Sequence, residues 1–149
     1  MTNKSAYQPE GYQSVIPYLH VNGATKLIAF MKEVFGAQEI AVYLRPNGTV
    51  GHAALRIGDS VVELADVSPE WPAMPCALQV YVPDTDAAYQ RALKAGASSL
   101  LPPATQFYGD RTASVRDSSG NNWYIATQIE VVSREEVEKR IAAMGQPKG

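Results

Sequence analysis

Val15-Ile-Pro-Tyr-Leu-His-Val21 and Cys76-Ala-Leu-Gln-Val-Tyr-Val82 lie 61 residues apart, and each opens the same series of elements. The first leads into a helical pattern closed by Phe35-Gly36-Ala37, the second into one closed by Ala95-Gly96-Ala97. Val61-Val-Glu-Leu-Ala-Asp66 and Asn122-Trp-Tyr-Ile-Ala-Thr127 repeat at the same offset. Each copy therefore reads strand, helix, strand, strand, strand. The fold class is α+β, with two βαβββ modules at 14–67 and 76–130 forming one domain over 14–130, followed by a C-terminal helix at 131–145. A fold built from two copies of one half places its site where the halves meet.

Working outward, residues 1 to about 12 are polar and predict a loose arm. In the first helix Leu27, Phe30, Met31, Val34 and Phe35 recur at the spacing of one buried stripe. Asn22 is the expected N-cap and Gly36 the left-handed stop. Asn47-Gly48 signals a hairpin after a strand from Glu39 to Leu44, and Gly58-Asp59 joins 51–57 to 60–65. Pro69, Pro72 and Pro75 mark 67–75 as the linker between copies. In the second copy Asp84 or Thr85 caps the helix, and Pro102-Pro103 predicts a short or edge strand at 100–108. Ser133-Arg-Glu-Glu136 is a capping box, with Val137, Ile141 and Met144 as the expected buried side of the last helix.

Bulk composition narrows the function classes. At 149 residues with 46% apolar content the chain can bury a core. The net charge of −2 and the scattered Lys and Arg give no basic stripe for nucleic acid. No apolar run approaches the ~18 residues that span a bilayer, and the first residues show no signal h-region. A single cysteine, Cys76, fits a reducing cytoplasm, and no CxxC partner or activating motif accompanies it. Phosphate loops, GxGxxG, GxSxG and zinc-ribbon spacings are absent.

Period-two arithmetic separates the sheet faces. Val15, Pro17, Leu19, Val21, Val62, Leu64, Leu78, Val80, Val82, Trp123 and Ile125 take the helix-covered side. The other face then displays Tyr18, His20, His52, Arg56, Glu63, Gln79, Tyr81, Asn122 and Tyr124. Large aromatic and hydrogen-bonding side chains of this kind suit the wall of a small-molecule pocket better than a plain solvated face.

These stretches resemble the vicinal oxygen chelate superfamily of glyoxalase I, bleomycin-resistance proteins and extradiol dioxygenases, and more narrowly its PhnB-like group. The matching pieces are Ile16-Pro-Tyr-Leu-His-Val-Asn-Gly23, Phe30-Met-Lys-Glu-Val-Phe-Gly-Ala37, Gly51-His-Ala-Ala-Leu-Arg-Ile-Gly-Asp-Ser60 and Tyr81-Val-Pro-Asp84. They continue with Gln106-Phe-Tyr-Gly-Asp-Arg111, the most specific, then Val115-Arg-Asp117, Gly120 and Trp123-Tyr-Ile-Ala-Thr127. The resemblance covers roughly 14–130. It implies two βαβββ modules whose sheets curl into a cup with the helices outside, in a homodimer. Carried over position by position, the family's four metal ligands fall on Ile16, Glu63, Ala77 and Tyr124. Of these only Glu63 is an ordinary ligand, so the usual metal set is missing.

Two functions follow as expectations. The first is a metal-free, cytoplasmic, homodimeric binder of a planar or amphipathic molecule, such as an antibiotic or toxic metabolite held by sequestration. Tyr18, Tyr81, Tyr108 and Tyr124 would stack on the ligand, while His52, Glu63, Gln79 and Asn122 orient it and His20 lines the pocket beside them. Arg111 would anchor an anionic group, or pair with Asp110 or Asp117 and fix its hairpin. The second is a lyase, isomerase or dioxygenase with a divalent metal on His20, His52 and Glu63. In a metal-free enzyme Glu63 would serve as catalytic base.

Overall fold

The computed structural model describes residues 7–145. Eleven elements follow one another as β1 (Tyr18–Val21), α1 (Ala24–Phe35), β2 (Gln38–Leu44), β3 (Val50–Ile57), β4 (Ser60–Asp66), β5 (Ala77–Tyr81), α2 (Thr85–Lys94), β6 (Ser98–Thr105), β7 (Asp110–Arg116), β8 (Asn122–Gln128) and α3 (Arg134–Met144). They build two mixed four-stranded sheets with the same order, β1-β4-β3-β2 and β5-β8-β7-β6. In each, the first strand pairs in parallel with the fourth, and the other pairs are antiparallel. The repeated βαβββ plan read from the sequence is therefore the plan of the fold. The chain divides into two compact units. One runs through Cys76 and takes in residues 117–121; the other holds 77–116 and the chain from 122 onward.

In the first unit α1 lies on β3 and β4. Leu27, Ile28, Phe30, Met31 and Val34 of α1 are buried, as are Leu19, Val21, Val62, Leu64, Ala53 and Leu55 of the sheet. In the second, α2 lies on β6, β7 and β8. Its buried side chains are Thr85, Ala88, Tyr89 and Ala92, beside Val115, Trp123 and Ile125 of the sheet. The 61-residue offset sets Leu27 against Ala88, Met31 against Ala92 and Val62 against Trp123. At these positions bulk supplied by the helix in one unit is supplied by the sheet in the other, whereas Ile28 and its counterpart Tyr89 are both large and buried.

Several ends differ from the expectation. β1 begins at Tyr18 rather than Val15, because Pro17 has no N–H to continue the ladder; its carbonyl still accepts from Glu63 N at 2.9 Å. Further along β4, the side-chain amide of Gln13 takes the place of a strand: Nε2 donates to Val61 O at 2.7 Å and Oε1 accepts from Val61 N at 3.0 Å. Arg56 Nη1 donates to Gly11 O at 3.0 Å. The described part of the expected loose arm is therefore tied to the first sheet, while residues 1–6 lie outside the described chain.

Asn22 does not cap α1. Asp66, at the end of β4, accepts from Gly23 N at 3.2 Å and Ala24 N at 2.8 Å, and its second oxygen accepts from Val50 N at 2.7 Å. One carboxylate thereby closes a helix start and a strand start together. Gly36, with φ of 65°, ends the helix as expected. In α2 the cap is Asp84, whose side chain accepts from Ala87 N. β6 lies at a sheet edge but runs eight residues, with register shifts around Pro102-Pro103. Ser133 caps α3 as read, yet Val137, Ile141 and Met144 form no buried side: no residue of α3 is buried in the described chain. Arg140 fastens this helix instead, donating to Phe107 O at 2.7 Å and pairing with Glu130.

Candidate functional site

Parallel pairing sets Tyr18 beside Glu63 and His20 beside Ala65, and antiparallel pairing sets Glu63 beside Ala54 and Tyr43 beside His52. Period two then puts Tyr18, His20, Tyr43, His52 and Glu63 on one face of the first sheet. Their rings form a ladder. The Tyr18 ring lies 5.1 Å from that of His20 and 5.8 Å from that of His52. Tyr43 stacks on His52 at 6.4 Å. At the other end the Trp71 ring stacks on His20 at 5.5 Å, with 12° between planes.

Trp71 comes from the proline-rich linker, which does more than connect. Met74 N donates to His20 O at 3.0 Å, so the segment bridges to the outer edge of β1. Ser68 N and Trp71 O, and Trp71 N and Ser68 O, close a reciprocal turn between them. Beneath it opens a cavity of about 570 Å³ lined by Tyr18, His20, Arg45, Gly51, Ala65, Ser68, Glu70 and Trp71. The sequence pattern pointed to Tyr18 and His20 but not to Arg45, Ser68, Glu70 or Trp71. A tryptophan between two prolines, Pro69 and Pro72, was the available signal. His20 Nδ1 is buried beside this cavity without a hydrogen-bond partner.

Glu63, His52 and Tyr18 form a polar chain. His52 Nε2 stands 3.6 Å from Glu63 Oε2, and Tyr18 Oη stands 3.2 Å from His52 Nδ1. With the His52 proton on Nε2, toward the carboxylate, Nδ1 accepts from the phenol. Burial, followed by the Glu63 charge, pushes the Tyr18 phenol above its ordinary range, and Arg45 pulls part of the way back. Tyr18 is therefore held neutral as a donor.

The second sheet carries its own polar face. A cavity of about 280 Å³ is lined by Gln79, Gln106, Tyr108, Thr112, Ser114 and Tyr124, with Leu101, Ala113, Ile125 and Ala126. Tyr81 is on the same face, but its hydroxyl donates to the buried Asp110 at 2.8 Å, and that bond raises its pKa. Asn122 accepts from Arg116 Nε at 2.9 Å.

Arg111 stands apart. It pairs with Thr127 across β7 and β8, in register with the helix-covered side. Its guanidinium makes two bonds of 2.9 Å to Asp86, in the first turn of α2. The expected partners Asp110 and Asp117 are not the ones used, and the charge is turned toward α2 rather than toward the tyrosine face. The motif around it is a tight turn: Gly109, with φ of 101°, lies so close to Glu130 that a Cβ would run into the Glu130 carbonyl.

Metal ligation does not fit this donor set. Among the described residues no group of three or more His, Cys, Asp or Glu side chains is placed to hold an ion. The alternative set of His20, His52 and Glu63 is divided by the Tyr18 ring, which lies against both histidines. At the positions the family uses, Glu63 is the one carboxylate, and Ile16 lies before the start of β1. Cys76 offers no activated thiol, since burial and then Asp117 push its pKa up.

Two mixed sheets of this order, helices on one side of each and a ring-lined cavity, define a class, and sequence comparison agrees. The chain belongs to the Glyoxalase/Bleomycin resistance protein/Dioxygenase superfamily, whose profile matches residues 15–125. An uncharacterized protein of Mycobacterium bovis is 31% identical over 140 residues, covering 87% of this chain and 92% of the relative. The structure of TioX from Micromonospora sp. ML1 superposes with a TM-score of 0.65 at 24% identity, covering 78% of this chain and 98% of that one. A family enzyme from Burkholderia phytofirmans PsJN gives 0.62 at 20% identity, covering 76% and 96%. At such identities these two likenesses concern the fold alone, the vicinal oxygen chelate arrangement. No helix among the described residues is long and apolar enough to cross a membrane.

Proposed function

We propose that this chain is a small-molecule binder that holds a planar ligand against the ring ladder of its first sheet, without a metal cofactor. The observation that carries this reading is the continuous series Trp71, His20, Tyr18, His52, Tyr43 beside a cavity of about 570 Å³. Each aromatic contact of this kind is worth about 0.5–1.5 kcal/mol beyond its area. Sequestration of an antibiotic or toxic metabolite is the simplest such role, since it needs affinity and no chemistry. Family resemblance supports a homodimer of the PhnB-like group, and the single cysteine supports a cytoplasmic setting; light scattering tests the dimer.

Calorimetric titration with naphthalene-, quinoline- and flavin-type probes tests the binding. The expected result is saturable binding that Trp71→Ala weakens about fivefold to tenfold. No binding tighter than about 1 mM across that panel would end the proposal. Metal analysis of protein purified without chelator, before and after Glu63→Ala, tests the cofactor. A stoichiometric ion lost in the variant would favour the metal-dependent lyase, isomerase or dioxygenase.

A second reading rests on the Glu63–His52–Tyr18 chain. It is a metal-free enzyme in which Tyr18 takes a proton from a bound substrate as its own proton passes to His52 Nδ1; the imidazolium so formed pairs with Glu63 and returns the proton to the product. Turnover would then show a pH dependence that Glu63→Gln removes while leaving ligand affinity in place.

A further inference from the structure

We infer that the cavity of the first unit is built for a ligand carrying a carboxylate or like planar anion, with Arg45 as its anchor; this rests on the binding reading above. Arg45 is half-buried in the cavity wall and is held entirely by neutral acceptors. Nη1 donates to Thr49 Oγ1 at 3.2 Å and Val67 O at 3.3 Å, and Nη2 donates to Asp66 O at 2.9 Å. No carboxylate among the described residues forms an ion pair with it. The Asp66 carboxylate is taken up by three backbone N–H groups instead. A guanidinium has five N–H bonds, and three are accounted for here. Nε–H and one Nη2 N–H remain, and they belong to the edge that meets a carboxylate with two parallel bonds.

The surroundings preserve that edge. Gly51 has no need of its glycine for a positive φ; its use is close approach. A Cβ there would stand 3.1 Å from Arg45 Cγ and 3.7 Å from Nε, so the missing side chain is what lets the arginine lie across β3. Tyr18 and Ser68 line the same cavity and offer neutral hydroxyls. Glu70 lines it too, on the exposed linker, and makes no ion pair with Arg45. Its charge opposes the anion and lowers the preference expected. With a ring on the Trp71–His20 stack and a carboxylate at Arg45, the ligand class is an aromatic acid.

The test compares 2-naphthoate with 2-naphthamide, equal in shape and different in charge, by calorimetry on the full chain. The expected result is about tenfold tighter binding of the acid, falling as salt rises. In Arg45→Gln the ratio of acid to amide affinity falls to about one, whatever the variant does to the affinity for the amide. Because Arg45 also holds the linker carbonyls, circular dichroism checks that variant, and Gly51→Ala supplies an independent one that keeps the charge and displaces the fork, reducing the preference severalfold. Equal affinity for acid and amide in the unaltered protein overturns this inference and leaves the binding reading standing. A preference that survives Arg45→Gln overturns it as well. Binding of neither probe overturns this inference, and the binding reading falls with it only when the quinoline and flavin probes fail as well.

Discussion

Replacing Asp66 tests whether one carboxylate joins the start of α1 to the start of β3. In Asp66→Ala the helix loses its acceptor at Gly23 N and Ala24 N, a capping loss of about 1 kcal/mol and up to about 2. The Val50 N–H, in a residue only 1% exposed, is left without a partner, which costs about 1–3 kcal/mol more. The sum is roughly 2–5 kcal/mol, or a fall in Tm of roughly 4–20 °C for a chain of this length. Asp66→Asn separates the two parts. Its remaining oxygen still serves the helix, while its amide N–H₂ confronts the Val50 N–H, for a loss of about 1–2 kcal/mol. Urea unfolding followed by circular dichroism measures both, with an unchanged slope showing that the transition keeps its character. A loss below about 1 kcal/mol in Asp66→Ala would refute the reasoning, as would identical losses in the two variants.

Other expectations follow from single contacts. Gln13→Ala leaves both backbone groups of the fully buried Val61 unpaired and lowers stability by roughly 2–3 kcal/mol in the same assay; Gln13→Glu, which sets an oxygen against Val61 O, does not restore it. Cys76, with its pKa raised, stays protonated at neutral pH and is alkylated by iodoacetamide more slowly in the folded chain than in urea; equal rates would contradict this. Arg111 holds Asp86 below its ordinary pKa, so this pair stabilises the fold above the unfolded carboxyl's pKa and the contribution fades as pH falls through the lower folded value. The urea midpoint of Asp86→Asn should therefore lie below that of the unaltered chain near neutrality and converge with it in acid; parallel curves would sink the assignment. Gly109→Ala forces a Cβ onto the Glu130 carbonyl at a positive φ, and its expression as folded protein should fail or its Tm fall sharply.

The fold was legible because it is periodic. Alternation in Tyr18-Leu-His-Val21 and Asn122-Trp-Tyr-Ile125 assigns faces, the stripe from Leu27 to Val34 assigns a helix, and the common offset assigns the repeat. The same arithmetic correctly brought Tyr18, His20, His52 and Glu63 to one face of the first sheet. It failed where a polar side chain reaches far along the chain to satisfy a backbone. Gln13 serves Val61, and Asp66 serves Gly23 and Ala24; neither pairing leaves a local pattern. Arg111 misled for a related reason. A cation inside a distinctive motif suggests a ligand, but strand register turned it to α2, and the motif's distinctness belongs to its turn at Gly109. Trp71 and Arg45 leave no such periodic signal because a linker and a turn carry them, and both segments fold back over β1 and β3.

The exchange of bulk between helix and sheet makes the two halves non-interchangeable. Grafting α1 onto the second sheet would bring Leu27 and Met31 to places shaped by Ala88 and Ala92, next to a strand already holding Trp123. Overfilling of that kind costs about 1–3 kcal/mol per site. The reverse graft would leave α2's alanines opposite Val62, opening voids of the sort that cost about 2–5 kcal/mol for each lost leucine or methionine. Neither half can mutate one layer without the other. Helix and sheet within each copy are thus bound to change together, and a variant library that recombines the halves should yield folded chains only when it cuts at the linker, never between a helix and its own strands.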